Sequence, residues 1–476
     1  MIPTQEQIEI VEAVKSGVDV IVQALSGSGK TSTLYLAANA IPNKKILYLA
    51  FNKAIVEEAT SKMPSNVECR TIHSVAYRNS DKEILKKLTY SQNDNKHLSS
   101  MLSLKGFNVF DSKNKETIYI SPFRLIGWVN RTVQHYMQSD KDNISLYHVY
   151  IDPDYEHLAN NVIKDAIFKA ACKLWKMYID TSNTLRIPHD VYLKLFALSG
   201  IDVGYDVVLV DESQDVSPVM LSILRSQKSS QKVYVGDKHQ KIYSFTGSID
   251  IAAKVTAKTL YLSKSFRFGQ LLADEANVIL DKLKNEVPLK GTEDTFTFDE
   301  VKPNAIICRT NSGVLSRYII ESDSKMKINI SCDTASILHF AECLIELDEK
   351  GKTIHKYLNG FKSSEQFYSW LKKTDEDLDL DLLQLASICR KNHPASIIHV
   401  LSDHRQHSKP DLVITTAHKS KGLEWDNVEL GGDFPDPYYN ENDEEKRLFY
   451  VAMTRAKSNL YGLEQYKKLR KNKKEK

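Results

Sequence analysis

Val18-Asp19-Val20-Ile21-Val22-Gln23-Ala24-Leu25-Ser26-Gly27-Ser28-Gly29-Lys30-Thr31 is the stretch on which the fold turns. An apolar run, Val18 to Gln23, leads into a glycine-rich segment and then into the helical pattern Ser32 to Ala40. Strand, glycine-rich loop and helix in that order match the spacing of a phosphate-binding loop. Loop amides and the helix N-terminus behind them offer donors and partial positive charge to phosphate oxygens. Ser26, Gly27, Ser28, Gly29, Lys30, Thr31 and Ser32 are therefore the expected nucleotide contacts, with Lys30 reaching the β- and γ-phosphates and Thr31 on Mg2+.

Two further apolar runs end in polar chemistry. Asp206-Val207-Val208-Leu209-Val210 is almost wholly apolar, as a strand covered on both faces must be, and it ends in Asp211-Glu212-Ser213-Gln214-Asp215. Carboxylates at the C-terminal end of a parallel strand sit where ligands bind. Asp211 is expected to hold Mg2+ through water, and Glu212 to take the proton from a water attacking the γ-phosphate. Alone, an acidic turn after a strand explains these residues equally well; a phosphate loop upstream makes the pair an NTPase signature. Val233-Tyr234-Val235-Gly236-Asp237 reads as another buried strand, running into Lys238-His239-Gln240-Lys241-Ile242-Tyr243-Ser244-Phe245. There Gln240 can sense the γ-phosphate, while Tyr243 and Phe245 can present rings to nucleobases. Core packing is the usual fate of such aromatics taken singly.

The 476 residues exceed what one hydrophobic core organises and fit two to four domains. Apolar content of 42% and charged content of 26% are ordinary for globular chains, and no run of eighteen apolar residues could span a bilayer. The N-terminus has no signal-peptide pattern, and the six cysteines form no CxxC pair, so a soluble protein of a reducing intracellular compartment (cytoplasm, nucleoid or nucleus) is expected, with no structural metal site. Net charge is +3, but the last ten residues hold seven bases against one acid, which leaves the remaining body at −3. Nucleic-acid binding then requires basic groups concentrated in a groove. The basic tail itself reads first as a solvated end.

Taken together, these residues resemble the UvrD/PcrA/Rep helicases of superfamily 1, particularly the helicase core of F-box DNA helicases. Pro3-Thr4-Gln5-Glu6-Gln7 resembles the adenine-reading Q motif, with Gln7 at the base-contacting position. Ala50-Phe51-Asn52-Lys53-Ala54 and Thr71-Ile72-His73-Ser74 resemble motifs Ia and Ib, and Ser265-Phe266-Arg267 resembles motif IV. Arg309-Thr310-Asn311 matches a further DNA-contacting segment. Thr416-Ala417-His418-Lys419-Ser420-Lys421-Gly422-Leu423-Glu424-Trp425 resembles motif V, and Glu445-Lys446-Arg447-Leu448-Phe449-Tyr450-Val451-Ala452-Met453-Thr454-Arg455-Ala456 resembles motif VI.

The resemblance implies an α/β chain of two RecA-like parallel-sheet motor domains, each with a mainly helical insertion. It implies ATP and Mg2+ as cofactors, with Glu424 beside the nucleotide and Lys30, Glu212, Gln240, Arg267 and Arg455 carrying hydrolysis. Both arginines act in the manner of arginine fingers. It assigns DNA contacts to Phe51, Asn52, Thr71, His73, Tyr243 and Phe245 in the first motor domain, and to Arg309, Asn311 and His418 in the second. For His73 and His418 a structural hydrogen bond competes with direct contact. Thr246 stands where motif III usually has arginine, and Trp425 replaces a common phenylalanine.

Residues 1–80 and 181–252 are expected to form the first motor domain around an insertion at 81–180 that contains Trp128, Trp175 and the amphipathic stretch Ala159 to Tyr178. Residues 253–335 and 406–476 are expected to form the second around an insertion at 336–405. A chain starting at the Q motif and ending shortly after motif VI is expected to lack an F-box and a long C-terminal extension. The expected activity is ATP-driven translocation on single-stranded DNA and unwinding at single-strand/duplex junctions, with a 3′ to 5′ direction implied by the resemblance, by a monomer in repair, recombination or replication. A remodeller that strips proteins from DNA, or a P-loop ATPase indifferent to DNA, are the alternatives.

Overall fold

The computed structural model describes residues 2–50, 52–89, 94–111, 115–242, 248–355, 357–373, 380–402 and 404–467. Its strands are β1 (Val20–Ala24), β2 (Ile46–Ala50), β3 (Val67–Thr71), β4 (Phe107–Asp111), β5 (Glu116–Ile120), β6 (Val207–Val210), β7 (Gln231–Gly236) and β8 (Lys258–Leu262). They continue with β9 (Lys264–Gly269), β10 (Lys290–Thr292), β11 (Ala305–Cys308), β12 (Ile328–Ile330), β13 (Leu412–Thr416), β14 (Trp425–Leu430) and β15 (Ala456–Tyr461). Helices separate most of them, as parallel sheets with crossover connections require. The chain divides into two compact units: Met1–Gln23, Lys30–Gly236 and Tyr243–Leu260, and Ala24–Gly29, Asp237–Ile242 and Tyr261–Lys476.

The first unit is built on a six-stranded sheet of order β3-β2-β6-β7-β1-β8. The pairs β3/β2, β2/β6, β6/β7 and β7/β1 are parallel. Every residue of β2 and β6 is buried, which explains their unbroken apolar sequences. Leu47 pairs with Val208 and Leu49 with Val210, and the Asp211 amide donates to Leu49 O at 2.9 Å, so the ladder continues into the acidic turn. Tyr192, Leu193 and Phe196 from helix His189–Ser199, and Leu221, Ile223 and Leu224 from helix Pro218–Ser226, pack with this sheet's apolar face.

Between β3 and β6 lies a region with a core of its own. Helices Pro122–Gln138 and Asn161–Ile179 bury Trp128, Val129, Tyr136, Ile167 and Leu174 against one another. The indole of Trp128 donates to Asp152. An antiparallel hairpin, β4 and β5, belongs to the same region and pairs Phe107 with Ile120. The second unit carries a five-stranded sheet of order β12-β13-β11-β14-β15, parallel throughout. Its additional helices, Thr334–Lys350, Ser364–Lys373, Leu380–Lys391 and Pro394–Leu401, share one core with the sheet: Phe340, Leu344, Phe367 and Ile397 pack with Ile306, Ile328, Leu412 and Ile414.

Several expected boundaries move. The first strand is Val20–Ala24 and not Val18–Gln23: Gly17 turns at φ +81°, Val18 is exposed, and Asp19 is taken up by the Lys232 amide. The helix after the loop starts at Lys30, two residues before the expected Ser32, so Lys30 and Thr31 lie in its first turn. Ala159–Tyr178 becomes Asn161–Ile179, because Asn160 caps the helix by accepting from the Ile163 amide. The β4/β5 hairpin had no sequence-based expectation. No described helix is long and apolar enough to cross a membrane.

Candidate functional site

In the first unit the chemistry collects at the C-terminal ends of β6 and β7. Lys30 Nζ lies 3.1 Å from Glu212 Oε1. Glu212 holds φ +50°, a left-handed conformation uncommon for a side-chain-bearing residue, and the Gln214 amide donates to its other oxygen. Gly236 ends β7 against this turn: a Cβ there would lie 2.3 Å from Gln214 Oε1 and 2.6 Å from Ser213 Oγ, so only glycine lets the strand pass. Asp211 is buried and accepts from the Tyr48 hydroxyl and, at 2.9 Å, from the Glu212 amide. Burial, reinforced by the neighbouring Glu212 charge, pushes its carboxyl above the usual range.

Thr31, in the first turn of the helix that starts at Lys30, is partly exposed, and Ser32 is exposed. Gln7, expected to read a base, has two partners within the first unit. Its carbonyl accepts from the Thr4 amide at 3.0 Å in a capping box, and its amide donates to Thr33 Oγ1 at 3.1 Å, both within the fold.

The second unit has a cluster of its own around the loop residues Ala24–Gly29. Gly27 and Gly29 take φ +72° and +77°, and a Cβ on Gly27 would lie 2.4 Å from Ser265 Oγ and 2.8 Å from Arg267 Cβ. The Phe266 amide donates to Gly27 O at 2.8 Å, so β9 is stitched to the loop backbone. Arg267 Nη1 donates to Ser26 Oγ at 3.3 Å and to Thr454 O at 3.0 Å, while its Nε donates to Glu424 at 2.7 Å. Arg455, buried, reaches the same Ser26 Oγ at 3.3 Å and Gln240 Oε1 at 3.5 Å. Gln240 donates in turn to Asp237 at 2.9 Å.

Two participants escaped the sequence reading. Tyr450, fully buried, accepts the Ser26 amide at 3.0 Å and donates to Asp237 Oδ2 at 3.2 Å. Burial and the Asp237 charge push its phenol well above the ordinary value. Asp237 repeats at the end of β7 the position of Asp211 at the end of β6, and that parallel was the available signal.

The chemistry of each cluster, taken by itself, suits part of a nucleotide and its cation. The loop's positive φ values turn its backbone into a cradle, and Ser28 Oγ is buried with no partner among the described residues. Carboxylate and hydroxyl oxygens from Asp211 and Thr31 are the donor set Mg2+ takes when it keeps waters and phosphate oxygens as its remaining ligands.

The expected DNA contacts divide. Phe51, Tyr243 and Phe245, with Thr246, lie outside the described residues. In the first unit Asn52 caps helix Lys53–Lys62 through the Ile55 amide, and Thr71 caps helix Ile72–Arg78 through the Ser74 amide. His73 Nδ1 lies 3.2 Å from the Tyr192 hydroxyl, and burial holds its pKa below the ordinary value. In the second unit Arg309, Asn311 and His418 do come together. With Thr310, Gln384 and Lys419 they line a groove of about 500 Å³. Burial, then the Arg309 charge, keeps His418 below its ordinary pKa. The Arg309 guanidinium gives Nε and Nη2 to the two oxygens of Glu445, at 2.7 and 2.6 Å.

A glycine-rich loop between a parallel strand and a helix, with carboxylates at the C-terminal ends of strands, places the chain in the P-loop α/β class. The chain belongs to the UvrD-like helicase family: the family model of the UvrD-like helicase C-terminal domain matches residues 82–463. It is 31% identical over 504 residues to F-box DNA helicase protein 1 of Schizosaccharomyces pombe, covering 96% of this chain and 57% of that protein. It is 27% identical over 499 residues to F-box DNA helicase 1 of Gallus gallus, covering 95% and 48%. A putative ATP-dependent DNA helicase of Bacillus subtilis is 23% identical over 603 residues, covering 93% and 76%. The chain thus spans about half the length of the F-box helicases it matches.

Proposed function

We propose that the chain is an ATP-dependent single-stranded DNA translocase and DNA helicase, moving 3′ to 5′ and unwinding duplex at single-strand junctions. The observation that carries the reading is the convergence of Arg267 and Arg455 on Ser26, across sequence separations of 241 and 429 residues. Two guanidiniums held on a phosphate loop are what neutralisation of a transferring phosphoryl group demands. DNA helicases among the relatives point the same way.

In this mechanism the loop amides and Lys30 bind the triphosphate. A phosphate competes with Glu212 for Lys30, so substrate binding releases the carboxylate that orients the attacking water and accepts its proton. Asp211 and Thr31 would hold Mg2+, which would supply charge neutralisation to the triphosphate. Gln240, hydrogen-bonded to both Asp237 and Arg455, registers the γ-phosphate. Arg309, Asn311 and His418 line the track for single-stranded DNA in the second unit. Asn52, Thr71 and His73 contribute from the first motor domain, which comprises residues 1–80 and 181–252.

The test is the steady-state ATPase rate with and without oligo(dT), for wild type and Lys30→Ala. Strong stimulation by DNA that Lys30→Ala abolishes is the expected result, followed by unwinding of 3′-tailed but not 5′-tailed duplexes. Hydrolysis that ignores oligo(dT) yet still depends on Lys30 would leave a P-loop ATPase and remove the helicase reading.

A further inference from the structure

We propose that Glu445 is a positioning residue that ties the DNA groove to the nucleotide loop, acting through Arg309. The inference rests on the reading of that groove as the single-strand track. Helix Asp443–Met453 carries Glu445 in its first turn and Tyr450 near its end, and runs straight into Thr454 and Arg455. At the far end, Tyr450 and Arg455 both bond Ser26, and Arg455 bonds Gln240. At the near end, Glu445 holds the Arg309 guanidinium by two parallel bonds, which fix its orientation as well as its place. Glu445 and Arg455 are ten residues apart, about 15 Å along a helix.

Three features make this helix a lever and not a spacer. Leu448, Phe449, Tyr450, Val451, Ala452 and Met453 are all buried, so the helix moves as a packed body. Both its ends are joined to chemistry by charged or doubly bonded contacts. Arg309, finally, has two tethers of different origin: its main-chain amide donates to Asp433 Oδ1 at 2.8 Å, while its side chain rides on Glu445. A shift of the helix when the contents of the nucleotide loop change therefore re-aims the Arg309 guanidinium in the groove, with its backbone held still. The ion pair is largely shielded, with Glu445 16% exposed, so salt weakens it less than a surface pair.

The test is a double-variant cycle on the full chain, with ATP hydrolysis read against oligo(dT) concentration for wild type, Glu445→Gln, Arg309→Ala and the double variant. Glu445→Gln is expected to leave the DNA-free rate and the KM for ATP within about twofold, and to lower maximal DNA stimulation on the order of tenfold. The double variant is expected to be no worse than Arg309→Ala alone, because the two residues act as one unit. Effects that multiply, or a Glu445→Gln variant that loses DNA-free and DNA-stimulated rates in equal proportion, overturn the proposal. If Glu445→Gln does not fold, Glu445→Asp replaces it in the same cycle. A wild type that ignores oligo(dT) defeats the functional reading itself, an outcome separate from either result of the cycle.

Discussion

Tyr450 carries a hydroxyl shared by two buried partners, the Ser26 amide and the Asp237 carboxylate. Removing it takes that acceptor from the buried Ser26 amide, while Asp237 keeps the bond from Gln240, and an unmet buried polar group costs about 1–3 kcal/mol. Tyr450→Phe is accordingly expected to lower unfolding free energy by about that amount in urea titration, with a raised KM for ATP because the loop loses an anchor. Gly27 makes the complementary case. Alanine there meets a left-handed φ and two atoms of β9 closer than a Cβ tolerates. Gly27→Ala should therefore weaken nucleotide binding at least tenfold by calorimetry, the equivalent of about 1.4 kcal/mol, within the ~1–2 kcal/mol that a left-handed conformation alone costs a side-chain-bearing residue. Retained affinity would show that the loop can back away from Ser265 and Arg267.

Among the elements, the turn at Arg309-Thr310-Asn311 is held by one carboxylate. Asp433 accepts from the Arg309 amide, the Thr310 amide and the Thr310 hydroxyl at 2.8, 2.9 and 2.8 Å, and Gly313 leaves the space that it fills. Asp433→Ala should loosen the turn and raise the Kd for oligo(dT) several-fold in anisotropy titrations, while the KM for ATP stays near wild type. Three strands of the first sheet, β1, β6 and β7, were legible because their buried stretches are written as apolar runs. The glycine loop was legible because its spacing matches that of phosphate-binding loops. The β4/β5 hairpin was not, since it alternates weakly and its turn lacks an Asn-Gly signal. Nor could spacing reveal that Gln7 would spend its amide on Thr4 and Thr33, or that Arg309 would face Glu445: those are tertiary pairings over residues that periodicity treats as surface. Tyr450 was hidden for the opposite reason, as one more aromatic in an apolar helix stretch.

At the scale of the whole molecule, the two added helical regions are built on different terms. The one between β3 and β6 closes its own core around Trp128 and Tyr136, and it also buries Lys194, whose Nζ gives hydrogen bonds to Ser139 O and Lys141 O. Burial drops that ammonium to about 8 from an ordinary 10.5. The unfolded chain therefore binds more protons between those values, and stability from this group is fully present above 10.5 and lost as pH falls through about 8. Lys194→Met should flatten the rise in melting temperature between pH 8 and pH 10.5 seen in wild type. The helices from Thr334 to Leu401 have no such independence, since Phe340, Leu344, Phe367 and Ile397 complete the core of the β11–β13 sheet. Each such side chain contributes about 1.5–3 kcal/mol by burial, and four of them match the ~5–15 kcal/mol that holds a domain together. Replacing residues 334–402 by a short glycine-serine link should abolish cooperative melting of the second sheet in calorimetry, whereas the same replacement of residues 94–180 should preserve it. If both deletions melted cooperatively, the shared core would not be what holds the β11–β13 sheet, and the helices would be free to move over it during the ATP cycle.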